Sequence, residues 1–296
     1  MIDFIKARLC DPSSLNKLME SSKAFPDVFA SLNMRDGSIG YPLKSTVKNM
    51  EFRLTEHNAY VQNSIHILNN CLVKGELQNY NDFSYSEICK SLDFLEEKVS
   101  GLLNANIIQL EFGFNINTTT SPSKIIQDNV LMHDFKGHNV NCSFKGHGTL
   151  KRFDYHNYQV KIYDKGMQSG LSTNLLRYEV RIKNTKELHK LMIWNLADLK
   201  KKTVLQQLFN FSMNKFDRLI IVDVLSNKAQ ITEKERATLN QYRSSDFWNT
   251  LSGRELRNQK AKHKAHFNNL IIRHDLLTTK NSLKKELESK FHQLIK

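Results

Sequence analysis

The first nine residues, Met1–Leu9, set Ile2, Phe4, Ile5 and Leu9 around one acidic position, Asp3, and predict a strand first, with a helix as the alternative over Lys6–Leu9. Pro12, Pro26, Pro42, Gly37 and Gly40 punctuate the next stretch, so residues 12–45 read as loops around one short helix, Leu15–Lys23. Lys48–Leu54, Ala59–Gln62 and Ser64–Lys74 alternate or carry β-branched side chains and predict successive strands. A helix is predicted over residues 84–101. Ile88, Leu92, Leu95 and Val99 share one face there, Ser84 is an N-cap with Glu87 at N3, and Gly101 ends the run. Further strands are predicted at Ile107–Ile116, Tyr158–Tyr163 and Leu175–Lys183. Residues 121–157 carry His133, His138, His147 and His156 with Gly137, Gly146 and Gly148, and read as a long connection holding one hairpin.

From Thr185 onward the apolar period lengthens to that of helices. Glu187–Met192, Leu196–Asn210, Asn214–Val224, Glu233–Arg243, Arg254–Arg273 and Asn281–Ile295 each follow it. The expected fold class is therefore α+β: an antiparallel-sheet domain over residues 1–184, followed by a mostly helical basic domain over residues 185–296.

Charge sharpens that division. The chain carries 43 Lys and Arg against 30 Asp and Glu, a net +13. Residues 1–180 hold 19 of each sign, and residues 181–296 hold 24 basic and 11 acidic side chains. So local an excess points to a polyanionic partner, nucleic acid before others, with binding that weakens steeply in salt. Within Ser252–Arg273, Arg254, Arg257, Lys260, Lys262, Lys264 and Arg273 are the candidate DNA contacts, on a helix-turn-helix recognition helix or a simpler phosphate clamp. No run approaches the ~18–20 apolar residues of a membrane span. The four cysteines, Cys10, Cys71, Cys89 and Cys142, are widely spaced and form no CxxC pair, against both a disulfide scaffold and a zinc finger. With no signal peptide evident, a cytoplasmic protein without a membrane partner is expected.

Three strands set carboxylates among apolar neighbours: Asp3, Glu111 and Glu179. Even spacing puts Arg177, Glu179 and Arg181 on one face and Leu176, Tyr178, Val180 and Ile182 on the other. Glu179 has a plain role available, pairing with Arg177 or Arg181 on a solvated face. The alternative is that carboxylates of adjacent strands converge on a hard divalent cation, Mg²⁺ or Mn²⁺. Tyr163 ends the strand that opens into Asp164-Lys165-Gly166, where Gly166 permits positive φ. A strand-end tyrosine is ordinarily packing, yet its hydroxyl can attack a phosphodiester if a cation assists, since phenol ionises near pH ~10. No HxH, HExxH or GxxxxGK[ST] pattern occurs, against a zinc enzyme or an NTPase.

Taken in order, Met1-Ile-Asp3, Lys74-Gly-Glu-Leu-Gln-Asn-Tyr-Asn-Asp-Phe83, Leu110-Glu-Phe-Gly-Phe-Asn-Ile116, Val160-Lys-Ile-Tyr-Asp-Lys-Gly166, Leu175-Leu-Arg-Tyr-Glu-Val-Arg181 and Asp246-Phe-Trp-Asn-Thr-Leu251 resemble a known family. They are similar to the rolling-circle replication initiators of the gene II/X type, from filamentous phages and related bacterial mobile elements. The resemblance implies a protein that nicks one strand of a double-stranded origin, holds the 5′ phosphate on a tyrosine, leaves a 3′ hydroxyl, and later rejoins the displaced strand. It implies Tyr163 as nucleophile, Asp3, Glu111 and Glu179 as ligands of Mg²⁺ or Mn²⁺, and Lys165 and Arg177 as groups that steady phosphate oxygens or the leaving group. Double-stranded origin DNA and single-stranded DNA would be the partners, with a host helicase and polymerase acting after them. Two positions depart from the family pattern: Gly75-Glu-Leu-Gln-Asn79 lacks a lysine often found there, and Gln168 replaces an acidic residue. The alternative reading is a non-enzymatic DNA-binding regulator, a repressor or partitioning factor, whose α+β half dimerises.

Overall fold

The computed structural model describes residues 1–21, 23–140, 147–225 and 231–296, so Cys142 and Gly146 lie outside the described residues. The chain opens with β1 (Ile2–Arg8), α1 (Pro12–Ser21), β2 (Val28–Leu32), β3 (Ile39–Val47), β4 (Met50–Leu54), β5 (Ala59–Ser64), α2 (Ile65–Val73) and α3 (Tyr85–Lys98). Next come β6 (Asn106–Asn117), α4 (Pro122–Asp128), β7 (Val130–His133), β8 (Leu150–Asp154), β9 (Tyr158–Asp164), α5 (Lys165–Gln168) and β10 (Leu175–Ile182). The remainder is α6 (Thr185–Lys190), α7 (Lys202–Asp217), β11 (Leu219–Ile221), α8 (Glu233–Arg243), α9 (Ser245–Thr250), α10 (Arg257–Arg273) and α11 (Thr278–Leu294).

Nine strands form one sheet in the order β2-β3-β4-β5-β1-β6-β10-β9-β8, with every pairing antiparallel. Strands β11 and β7 make a separate pair. The fold class is α+β, as the change of apolar period implies.

One face of the sheet takes the helices. On that face Phe114 of β6 meets the rings of Phe209 in α7 and Phe291 in α11 at 5.9 and 6.3 Å, and those two rings stack at 4.1 Å. The Tyr178 hydroxyl of β10 donates to the Ser212 carbonyl of α7 at 2.8 Å, so a buried phenol is satisfied. A second apolar cluster joins Trp248, Phe267, Tyr242 and Leu239 to Met132 and Val222. Both clusters draw residues from either side of position 184.

Several local expectations need correction. Ser64–Lys74 is a helix, not a strand: Ser64 caps it by accepting from the Ile67 amide at 3.1 Å. The alternation of Ile65 and Ile67 mimics a strand, but burial of Ile65 and Leu68 fixes a helical face. Residues 12–45 hold α1 and also two strands, β2 and β3. Helix α7 stops at Asp217, and Leu219–Ile221 pairs with β7 instead of continuing it. At 84–101 the expected capping box forms, with Ser84 and Glu87 each bonded to the other's backbone amide.

Candidate functional site

Strands β9, β10, β6 and β1 stand side by side, and their face away from α7 and α11 carries the site. Register fixes the neighbours. Arg177 lies between Asn115 and Tyr163, Glu179 between Gly113 and Lys161, and Arg181 between Glu111 and Gln159.

Asp3 reaches this face through an irregularity. Ile2 is abreast of Phe112 and Ile5 of Leu110, so β1 advances three residues where β6 advances two. Strict alternation would align Asp3 with Ile5 and Ala7, both wholly buried in the apolar core. The extra residue of the β-bulge re-aims Asp3 beside Glu111. Gly113 makes the close approach of β6 and β10 possible: a β-carbon there would lie 2.3 Å from the Tyr178 carbonyl oxygen and 2.5 Å from the Glu179 β-carbon.

The result is a buried group of three carboxylates. Asp3, Glu111 and Glu179 each offer an oxygen within 4.8 Å of the others. Arg177 ties two of them together: Nη2 donates to Asp3 Oδ2 and Nε to Glu179 Oε2, both at 2.7 Å, and Nη1 to the Asn79 carbonyl at 3.0 Å. Ser64 Oγ donates to Asp3 Oδ1, and Asn79 Nδ2 to Asp3 Oδ2 at 2.9 Å. Lys161 Nζ lies between the other two carboxylates, 2.9 Å from Glu111 Oε1 and in contact with Glu179 Oε1. The Tyr163 hydroxyl donates to Glu179 Oε2 at 3.3 Å. Lys165 stands two residues further along the chain, its Nζ donating to Asn79 Oδ1 at 2.7 Å and to Gln168 Oε1 at 2.9 Å.

Burial opposes charge on every one of these groups, and their partners decide the outcome. For Asp3, burial is outweighed by Arg177 and by the hydrogen bonds of Ser64 and Asn79, so its carboxyl sits well below the ordinary range. For Glu179, burial is outweighed by Lys161 and Arg177, again lowering it. Glu111 goes the other way: burial, and next the Glu179 charge, raise it. Burial pushes the Tyr163 phenol well up. Lys165 is lowered to about 8, first by burial and next by Arg177.

The structure thus links Asp3, Glu179, Tyr163 and Arg177 by direct hydrogen bonds, joins Glu111 to them through Lys161, and sets Lys165 against Asn79. Two expectations about the YDKG segment change. Asp164 opens a single helical turn, α5, by accepting from the Met167 amide at 2.9 Å. Gly166 is needed for space, not for a left-handed φ: a β-carbon there would lie 2.2 Å from the Thr173 carbonyl oxygen. Sequence reasoning missed Lys161, Asn79 and Ser64. Lys161 had a signal, since Gln159, Lys161 and Tyr163 alternate with Val160 and Ile162.

The six basic candidates at the C-terminal end divide. Arg254, Arg257, Lys260 and Lys264 line one concavity with Leu251, Ser252, Gly253 and Ala261. Lys260 Nζ donates to the Trp248 carbonyl at 3.1 Å, and Lys264 Nζ stands 4.2 Å from the Phe135 ring centre. At about 100° per residue, Lys262 and Arg273 fall on the far side of α10 from that stripe. Arg273 is paired there with Glu235 at 2.5 Å.

No protein-family model matches the chain. No curated protein matches it. Among solved structures it is similar to a rolling circle replication initiator protein from Geobacillus stearothermophilus. That likeness has 16% identity and a TM-score of 0.42, over 80% of this chain and 90% of the other. No helix among the described residues is long and apolar enough to cross a membrane.

Proposed function

We propose that the chain is a rolling-circle replication initiator, a site-specific, metal-dependent DNA endonuclease and strand-joining enzyme that works through a 5′-phosphotyrosine on Tyr163. One observation carries this reading. Three buried carboxylates from three strands meet within 4.8 Å, and the hydroxyl of a fourth strand's tyrosine donates to one of them. A structural ion-pair cluster has no need of a phenol donating into it.

The donor set fits a hard divalent ion, because all three groups offer oxygen and lie on one face. Asp3, Glu111 and Glu179 would hold Mg²⁺ or Mn²⁺, which supplies Lewis-acid stabilisation of charge on a phosphate's non-bridging oxygens. Lys161 and Arg177 already neutralise two of the three carboxylate charges. Arg177 serves as a clamp on Asp3 and Glu179, since its donors are engaged with them and with Asn79. Tyr163 is protonated at neutral pH and directs its proton at Glu179 Oε2. As its oxygen bonds to phosphorus, that proton passes to Glu179 and the P–O3′ bond breaks. Lys165, charged below about pH 8, gives a proton to the departing 3′ oxygen or steadies the phosphate. The covalent ester keeps the bond energy, so reversal with a new 3′ hydroxyl rejoins the strand without a nucleotide cofactor.

Origin duplex and single-stranded DNA are the substrates in this reading, and a host helicase and polymerase use the opened circle. The test is to incubate the protein with supercoiled origin DNA and Mg²⁺ or Mn²⁺. A nicked circle with protein on its 5′ end is expected. Binding without nicking under either ion would favour the non-enzymatic regulator.

A further inference from the structure

The net neutrality of the first 180 residues conceals a sorting of charge by sheet face. Arg8 of β1 stands abreast of Tyr60 of β5, and Tyr60 abreast of Arg53 of β4. Arg53 is abreast of Lys44 of β3, and Lys44 of Phe29 of β2. These five residues form one row across five strands. Their chain neighbours Ala7, Val61, Phe52 and Ser45 are buried on the opposite face, so the row lies on the same open face as the carboxylate site. Arg8, Arg53 and Lys44 are exposed, as is Phe29 at 68%. The next row holds Lys6, whose ammonium stands 5.3 Å from the Tyr60 ring centre. Its one carboxylate, Glu51, accepts from Gln62 at 3.0 Å. Nearer the site, Arg181 lies 4.4 Å over the Phe4 ring and 3.7 Å from Glu111.

Like charges directly opposite on paired strands cost stability, and Arg53 faces Lys44 with no acid in the row. Among the described residues, Lys6, Arg8, Lys44 and Arg53 make no ion pair and no side-chain hydrogen bond. Arg8, Lys44 and Arg53 thus find no anionic partner among the described residues, and a bound polyanion would supply one. The aromatic members narrow the choice. In a duplex the faces of the bases are hidden in the stack, so Tyr60 and Phe29 find stacking partners only in an unpaired strand.

We infer that this row is a track for single-stranded DNA, leading the strand from the carboxylate site across β1, β5, β4 and β3 to the outer strand β2. The inference rests on the nicking reading for its purpose, but its chemistry is that of the row itself.

The experiment measures anisotropy of a labelled oligo-dT 20-mer and a duplex hairpin of equal length on the full chain, without divalent ion. Replacing Lys44→Ala and Arg53→Ala together should weaken oligo-dT binding. It should also lower the slope of log affinity against log salt by about 1.4, at ~0.7 per single-strand phosphate contact. Duplex binding should stay within twofold. Tyr60→Ala should weaken oligo-dT binding by about tenfold with the slope unchanged. The pair Lys44→Arg and Arg53→Lys, which keeps charge, should restore wild-type binding and excludes a folding defect. Unchanged oligo-dT affinity in the double alanine variant, or equal loss for both DNAs, overturns the track. The two readings fail separately. Wild-type nicking with an unaltered track variant sinks the track alone, and track-dependent binding without nicking sinks the nuclease alone.

Discussion

Gly113 of β6 stands abreast of Glu179 of β10, and the space a β-carbon would take at Gly113 is filled by the Glu179 β-carbon, 2.5 Å away. The carboxylate site therefore depends on a residue with no side chain. Gly113→Ala must push β10 outward or turn Glu179 aside. The expected result is a loss of about 1–3 kcal/mol, typical of overpacking, seen as a lower melting temperature. Nicking should fall further than that loss explains, because Glu179 leaves its place. A variant that melts and nicks like wild type would contradict this.

Lys161 bridges Glu111 and Glu179 and so competes with any cation those carboxylates would hold. Lys161→Met should tighten Mn²⁺ binding in a calorimetric titration of the protein alone. Its ion-free melting temperature should fall, because Glu111 loses its nearest cation and Glu179 keeps only Arg177. Glu111→Gln should remove Mn²⁺ binding. Weaker Mn²⁺ binding in the methionine variant would mean that Lys161 holds the carboxylates in place for the ion.

Lys165 sets a pH dependence. Burial and Arg177 lower it to about 8, so its ammonium is present below that pH and is lost above it. Rates of oligonucleotide cleavage should decline above about pH 8, and Lys165→Arg should flatten the decline. The sign for stability is opposite. Between about 8 and the unfolded value near ~10.4 the unfolded chain binds more protons, so this residue's contribution to stability rises with pH. Melting curves across that window check it.

The stripe on α10 makes a positional prediction. Arg257→Ala or Lys264→Ala should weaken duplex binding and lower its salt slope by about 0.9 each, one phosphate apiece. Lys262→Ala and Arg273→Ala should change it little, because they lie across the helix and Arg273 is held by Glu235. Equal effects at all four positions would rule out a single binding face.

How far the sequence foretells this site depends on what each residue needs. Alternation along Leu175–Lys183 suffices for Arg177 and Glu179, and the same rule applied to β9 exposes Lys161 beside Tyr163. Asp3 defeats alternation, since a bulge, invisible in a nine-residue pattern, turns it out of the core. Asn79 sits in a loop, and only tertiary packing brings it to Asp3 and Arg177. Ile65 and Ile67 look like a strand because period two and a single helical turn share apolar positions over so short a run. The basic row on the open face is invisible to any count of charge along the chain, since Arg8, Lys44 and Arg53 come from three strands and balance against acids elsewhere.

Whether Tyr163 carries DNA decides between a nicking enzyme and a DNA-binding regulator. The direct measurement is mass spectrometry of proteolytic peptides after reaction of the protein with supercoiled origin DNA and Mn²⁺, followed by nuclease digestion. The expected product is a nucleotide 5′-phosphate on the peptide containing Tyr163, absent in Tyr163→Phe, which should still bind the DNA. An adduct on another residue, or nicking by Tyr163→Phe at the wild-type rate, would contradict it.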